Sequence, residues 1–480
     1  MASAAPAASK PKLSLAALTA LVIGSMVGAG IFTLPSKFGN ASGGLGALIA
    51  WSIAGSGMLM LAFVFQTLSR RRPDLDAGIY AYAKAGFGNY LGFAAALGYW
   101  TTCCLAQLAC LILIKATLGR FFPIFGDGST PAAILGASAL LWSVHALVLR
   151  GVKQAAALNA VATVAKIVPL LAFVAAAGVA FRADVFGSSF WGGAAHDAGS
   201  LLAQVRGTML LTVFVFVGIE GASVYSRLAR NRADVGVATV LGFLAVLALL
   251  VLVTMLSYGV LPRRELGALP APSMAGVMEA IVGAWGTVFI SVGLLVSVLG
   301  NYLSWSLLAA EVLYSAARHD TMPAFLGRES DTHVPVAALW LSNVAIQVFL
   351  IVTSFAAQTF TLAVKMTSAM TLIPYLLVAG YGLQLAWTGK TYDVEPHGRT
   401  ADLVRAAIAV VYAAAMIYAG GPTFLLLSAV IYAPGSALYV LARRERNERV
   451  FTSVERLVFA FIVFAALAGV SGLLSGSISV

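Results

Sequence analysis

The stretch Val237–Leu261 contains no acidic or basic side chain, and neither does Val336–Ala356. About 20 such residues in a helix cross a hydrocarbon core of ~30 Å. A chain with a series of these stretches must be solvated by lipid. Composition agrees, with 60% apolar and only 10% charged residues, whereas a soluble domain carries about 25% charged residues. So few charges cannot cover a water-facing surface for 480 residues.

Apolar runs between charged or Gly/Pro-rich breaks predict thirteen spans, at 13–36, 43–68, 89–118, 131–149, 155–180, 205–226, 237–261, 283–317, 335–356, 358–388, 402–420, 422–442 and 455–475. The last is read as either an added helix or a hairpin partner. The longest polar stretch, Thr388–Arg405, is too short for a soluble domain. The Ala/Pro/Ser-rich start, Met1–Lys12, shows no signal-peptide cleavage pattern, so the first helix is expected to stay in the mature protein. Cys103, Cys104 and Cys110 share one apolar segment and read as small core residues rather than a disulfide framework or a metal site. No metal or cofactor is expected.

Lys and Arg outnumber Asp and Glu, 30 to 19, and their positions exclude a nucleic-acid surface. With the N-terminus cytoplasmic, 21 fall on the cytoplasmic side, in Lys10–Lys12, Arg70–Lys84, Arg150–Lys153, Arg227–Arg232, Arg318–Arg328, Lys390–Arg405 and Arg443–Arg456. Six (Lys37, Arg120, Arg182, Arg206, Arg263 and Arg264) fall outside, and Lys115, Lys166 and Lys365 lie within spans. Such asymmetry records topology and places a multi-pass protein in the cell's inner membrane.

Span one contains Gly24-Ser25-Met26-Val27-Gly28-Ala29-Gly30, and span six contains Gly218-Ile219-Glu220-Gly221-Ala222-Ser223. Glycine and serine are poor helix formers in the middle of a span. Either cluster alone is explained as well by close helix packing through small residues. The matched pair, each opening a set of five spans, points to an inverted-repeat transporter with its site at the two breaks. Irregular backbone is tolerated at membrane depth only where protein or a cavity satisfies it. Broken ends offer free N–H groups to a carboxylate and free carbonyls to an ammonium group, and an amino acid presents both. The reading is therefore a transporter of small solutes, not an enzyme.

Intramembrane charge is costly and marks function by default. Lys115 and Lys365 lie near the outer surface, where snorkelling accounts for them. Glu311 lies near Arg318 at an inner helix end and reads as a structural pair. Lys166 and Glu220 sit near mid-depth. Burial disfavours the charged form of either group, so each is a candidate for proton or cation coupling. The competing explanation is that they pair with each other.

Ile23–Pro35 (IGSMVGAGIFTLP), Phe216–Val224 (FVGIEGASV) and Trp305–Pro323 (WSLLAAEVLYSAARHDTMP) resemble the amino acid–polyamine–organocation superfamily. Within it the chain looks most like the basic amino acid/polyamine antiporters, over about residues 12 to 442. The resemblance implies an all-α, five-plus-five inverted-repeat fold of the leucine-transporter type, with helices 1 and 6 broken and 12–13 transmembrane helices. Residues 1–12 would be a cytoplasmic tail, 13–180 the first repeat, 205–388 the second, and 402–475 additional helices. It implies that Gly28, Ala29 and Gly30 receive the substrate carboxylate, and that carbonyls at Met26 and Val217 take the α-ammonium. Phe214 and Trp305 would cover the substrate, with cation–π attraction of roughly 0.5–2 kcal/mol for a cationic tail. Gln107 falls where the arginine/agmatine exchanger has a polar amide, and Glu220 matches a proton-sensing glutamate. Lys166, in Thr163–Pro169, resembles a lysine whose ammonium replaces a sodium ion. Ala29 and Phe214 depart from the hydroxyl residue and tryptophan of the arginine/agmatine exchanger, and a thirteenth span is more like arginine/ornithine exchangers.

The leading expectation is an exchanger of cationic amino acids, arginine against ornithine, with membrane lipids and these small solutes as partners. A proton-coupled permease for neutral or basic amino acids is the alternative within the class. An amino acid-sensing receptor is the alternative outside it, although the sizeable cytoplasmic tail a receptor would carry is not visible. An enzyme is not indicated: no nucleophile–base or HExxH pattern lies at membrane depth, and His145, His196, His319, His333 and His397 sit at span ends or in loops. A homodimer is admitted as an assembly state but not fixed.

Overall fold

The computed structural model describes residues 14–75, 78–150, 152–193, 197–220, 230–231, 233–330, 334–355, 358–393 and 397–478; of residues 152–165 and 233 it describes the backbone. The described residues form helices without a strand, as expected of an all-α membrane protein. The expected tail 1–12, Arg227, Arg232, His196, His333 and the segment Gly221–Val224 lie outside the described residues, and of Lys153 only the backbone is described.

Each predicted span falls on helix among the described residues, with residues 221–226 of the sixth lying outside them. The first is split into α1 (Leu15–Met26) and α2 (Leu34–Ala41). Then come α3 (Gly44–Arg71), α5 (Asn89–Gly119), α6 (Pro131–Leu149), α7 (Val152–Val179) and α9 (Ala198–Phe216). The second half holds α10 (Ala233–Val260), α13 (Ala284–Arg318), α14 (Val336–Thr353), α15 (Thr359–Thr388), α16 (Arg399–Glu445) and α17 (Ser453–Leu474). Nine helices among the described residues are each long and apolar enough to cross a membrane, and up to eleven when bent pairs count as one span. At 47 residues, α16 would extend about 70 Å, twice a hydrocarbon core. It is kinked at Gly421 (φ 79°, ψ 170°), just ahead of Pro422. The expected spans 402–420 and 422–442 are its two arms.

Short helices fill segments that apolar runs could not reveal: α4 (Ile79–Phe87), α8 (Ala183–Ser189), α11 (Arg263–Ala268) and α12 (Ser273–Val282). They are too short to span. On α4, Lys84 Nζ donates to the carbonyl of His319 at 2.8 Å.

Local contacts hold basic residues of both groups that the charge rule separates. Among those read as cytoplasmic, Arg446 meets Asp320 at 2.9 Å, and Arg71 pairs with Asp402 at 3.4 Å while stacked on Tyr392 at 3.5 Å. Among those read as outer, Arg263 Nε donates to the Gly39 carbonyl at 3.0 Å and Lys37 Nζ to Thr361 Oγ1 at 2.7 Å.

Burial sets α5 at the centre and α17 at the edge: 83% of the apolar window of α5 is buried, against 6% for α17. On α17 Leu457, Phe461 and Phe464 face outward, as lipid contact requires. Its start is fixed by a capping box, in which Thr452 N–H donates to Glu455 Oε2 at 2.7 Å. Glu455 Oε1 also accepts the Tyr90 N–H at 3.0 Å, which ties the thirteenth span to α5.

Candidate functional site

The glycines of span one stop α1 at Met26. Val27 leaves the helical region (φ −76°, ψ 96°), and the chain resumes as a 3-10 turn at Ile31–Thr33 before α2. The two halves meet at 44°. α9 likewise stops at Phe216, followed by Val217 in an extended conformation and Gly218 at φ 108°. Only glycine tolerates that conformation without strain. Space forbids a side chain there too, because a Cβ on Gly218 would lie 2.9 Å from the Ser25 carbonyl. Ser25 Oγ donates to the Gly218 carbonyl at 2.8 Å. The two breaks therefore touch and are tied to each other.

A cavity opens beside this junction. Met26, Gly28, Ala29, Gly30, Phe214, Val217 and Trp305 line it, together with Ser25, Ala106, Cys110, Val215 and Asn301. No charged side chain is among these lining residues. The N–H groups of Gly28 and Gly30 meet no backbone acceptor among the described residues, and the Met26 carbonyl meets no backbone donor, as unwound helix ends leave them. Gly30 is held to its size: a Cβ there would come within 2.6 Å of Val215 and 2.9 Å of the Phe214 ring.

Three sequence-derived candidates support the cavity without lining it. Gln107 turns to α13, where its Nε2 donates to the Trp305 carbonyl at 3.3 Å and its Oε1 accepts from Ser306 Oγ at 2.6 Å. It braces the turn that carries Trp305. Glu220 is fully buried. It accepts from the Tyr99 hydroxyl, from Tyr375 OH at 2.5 Å and from the Gly218 N–H at 3.3 Å. The carboxyl group thus clamps the second break to α5 and α15.

Lys166, on α7, is also buried. Its ammonium donates to the carbonyl of Gly24 and, at 3.2 Å, to that of Val27. Lys166 and Glu220 do not pair with each other. The lysine caps carbonyls released where α1 ends, a position that favours positive charge. Lys365 lies 5.6 Å from the Phe424 ring centre, away from the junction.

Asn301, Cys110, Ser25, Ala106 and Val215 were not singled out from sequence. Asn301 had a signal, since an amide in an apolar span four residues before Trp305 is costly to bury without partners. Cys110 looked like an ordinary core residue and gave none.

The sequence profile of the amino acid permease family matches residues 13–442. The chain is 52% identical to an arginine/ornithine antiporter of Pseudomonas aeruginosa, over 98% of both chains. It is 44% identical to an L-lysine transport protein of Corynebacterium glutamicum, over 98% of this chain and 97% of the relative. Identity to an arginine/agmatine antiporter of Chlamydia caviae is 37%, over 96% of both. With a profile match across nearly its whole length and relatives of up to 52% identity over 98% of the chain, it belongs to the amino acid permease family of the amino acid–polyamine–organocation superfamily.

Proposed function

We propose that this protein exchanges cationic amino acids across the membrane by alternating access, arginine against ornithine being the leading pair. The observation that carries the reading is full-length similarity to named antiporters of arginine, ornithine and agmatine, joined by a cavity lined from the ends of α1 and α9. The substrate carboxylate would sit on the free N–H groups of Gly28–Gly30. Its α-ammonium would face the Met26 and Val217 carbonyls. Trp305 and Phe214 would cover the cationic tail, where an aromatic face replaces a carboxylate partner.

In this reading residues 13–180 and 205–388 are two inverted five-helix repeats and 402–475 is an addition. The N-terminus faces the cytoplasm and the membrane is the inner one, supported by the one-sided distribution of Lys and Arg. Lys166, which resembles a lysine whose ammonium replaces a sodium ion, donates to carbonyls at the first break, and this supports transport without sodium. The protein moves its substrate unchanged, as a transporter and not an enzyme.

Counterflow in proteoliposomes tests this reading, with labelled arginine outside and ornithine, agmatine, lysine, leucine or buffer inside. Uptake should appear only against a loaded cationic amino acid or amine. Uptake into empty vesicles driven by a pH gradient would replace exchange with proton-coupled entry.

A further inference from the structure

Asn301 lies one turn before Trp305 on α13, and residues four apart share a helix face. Both line the cavity. The Asn301 side chain is 5% exposed. Its Nδ2 is pressed against Gly28, where an added Cβ would collide with it. Cys110 of α5 lines the same cavity. The Gly28 contact orients the carboxamide. Its other end, Oδ1, is buried and has no hydrogen-bond partner among the described residues. Buried polar atoms are rarely left unpaired in native structures, and each exception calls for a reason.

We propose that Asn301 Oδ1 accepts an N–H from the α-ammonium group of the substrate and so positions the amino acid end of the ligand. The inference rests on the reading of this cavity as the substrate site and deepens it. The placement selects the amine end. Asn301 packs on Gly28, beside the N–H groups assigned to the carboxylate, and an α-ammonium is joined to the same carbon as that carboxylate. Trp305 stands about 5–6 Å further along the helix face, where the tail of the substrate extends. An amide oxygen can only accept, and the ammonium offers three donors. The helix that covers the tail thus also holds the head. A ligand without an α-amino group would leave Oδ1 unpaired in the complex.

The test measures affinities of purified wild type, Asn301→Leu and Trp305→Ala for L-arginine. It sets them beside affinities for 5-guanidinopentanoate, which keeps the carboxylate and guanidinium but lacks the α-amino group. Asn301→Leu should raise the Kd for arginine about ten- to a hundred-fold, the range for a hydrogen bond to a charged group. The Kd for 5-guanidinopentanoate should change less than about threefold by the same reasoning. Trp305→Ala should weaken both ligands. Equal weakening of both by Asn301→Leu would make Asn301 a packing residue and overturn the proposal, as would unchanged arginine affinity. If Trp305→Ala also leaves both ligands unaffected, the cavity reading falls together with the inference. Should Asn301→Leu not yield folded protein, Asn301→Ala carries the same discriminating ratio, because it opens space and removes the same oxygen.

Discussion

Lys166→Met isolates what the buried ammonium does at the first helix break. Methionine keeps an unbranched stem of similar reach but donates no hydrogen bond. The carbonyls of Gly24 and Val27, both buried, would lose the donor that now satisfies them. An unsatisfied buried acceptor costs about 1–3 kcal/mol, so two amount to roughly 2–6 kcal/mol. Removing an ammonium group from a buried position offsets part of this, because taking a charge out of water costs several kcal/mol per ion. The net loss expected is about 1–3 kcal/mol, concentrated at the junction with Gly218 because the break itself loosens. A shift of about 1.4 kcal/mol in the population of the binding-competent break changes apparent affinity tenfold. Arginine exchange in proteoliposomes should therefore fall about tenfold or more, with a melting temperature lowered by a few degrees. Exchange and melting both at wild-type values would refute the claim that Lys166 holds the break.

Trp305→Ala should raise the Kd for arginine about two- to thirty-fold, the equivalent of 0.5–2 kcal/mol of cation–π attraction, with little effect on membrane insertion; titration of the purified variant checks this. Gly218→Ala should impair both stability and exchange. It forces a side chain into φ 108° and against the Ser25 carbonyl, at about 1–3 kcal/mol for the backbone alone, and melting curves beside uptake assays would register it. Glu220→Gln should retain the fold but weaken the clamp on the second break. Exchange several-fold slower across the pH range is expected, and wild-type exchange at every pH would contradict the assignment.

The membrane-spanning plan was legible because lipid solvation imposes a rule that a single span must obey, an apolar run of sufficient length. Gly24–Gly30 and Gly218 could be read as breaks because glycine weakens a helix locally, and α1 and α9 end at those positions. Partners were harder, since they depend on tertiary approach. Nothing local tells that Lys166 reaches carbonyls near residue 25, or that Tyr99 and Tyr375 converge on Glu220 from opposite halves of the chain. Gln107 looked like a residue for ligand contact, yet its amide is consumed by Trp305 and Ser306. The short helices α4 and α12 were missed because their ends interrupt any long apolar run. Asn301 was passed over because attention to ionisable residues ignores neutral amides, which are also costly in an apolar helix.

A structure of the protein determined with bound arginine tests whether the ends of α1 and α9 form the substrate site. Ligand density is expected in the cavity at the Ser25–Gly218 junction, with the carboxylate against Gly28–Gly30 and the guanidinium under Trp305. Arginine density elsewhere in the protein, with this cavity empty at saturating ligand, would contradict it.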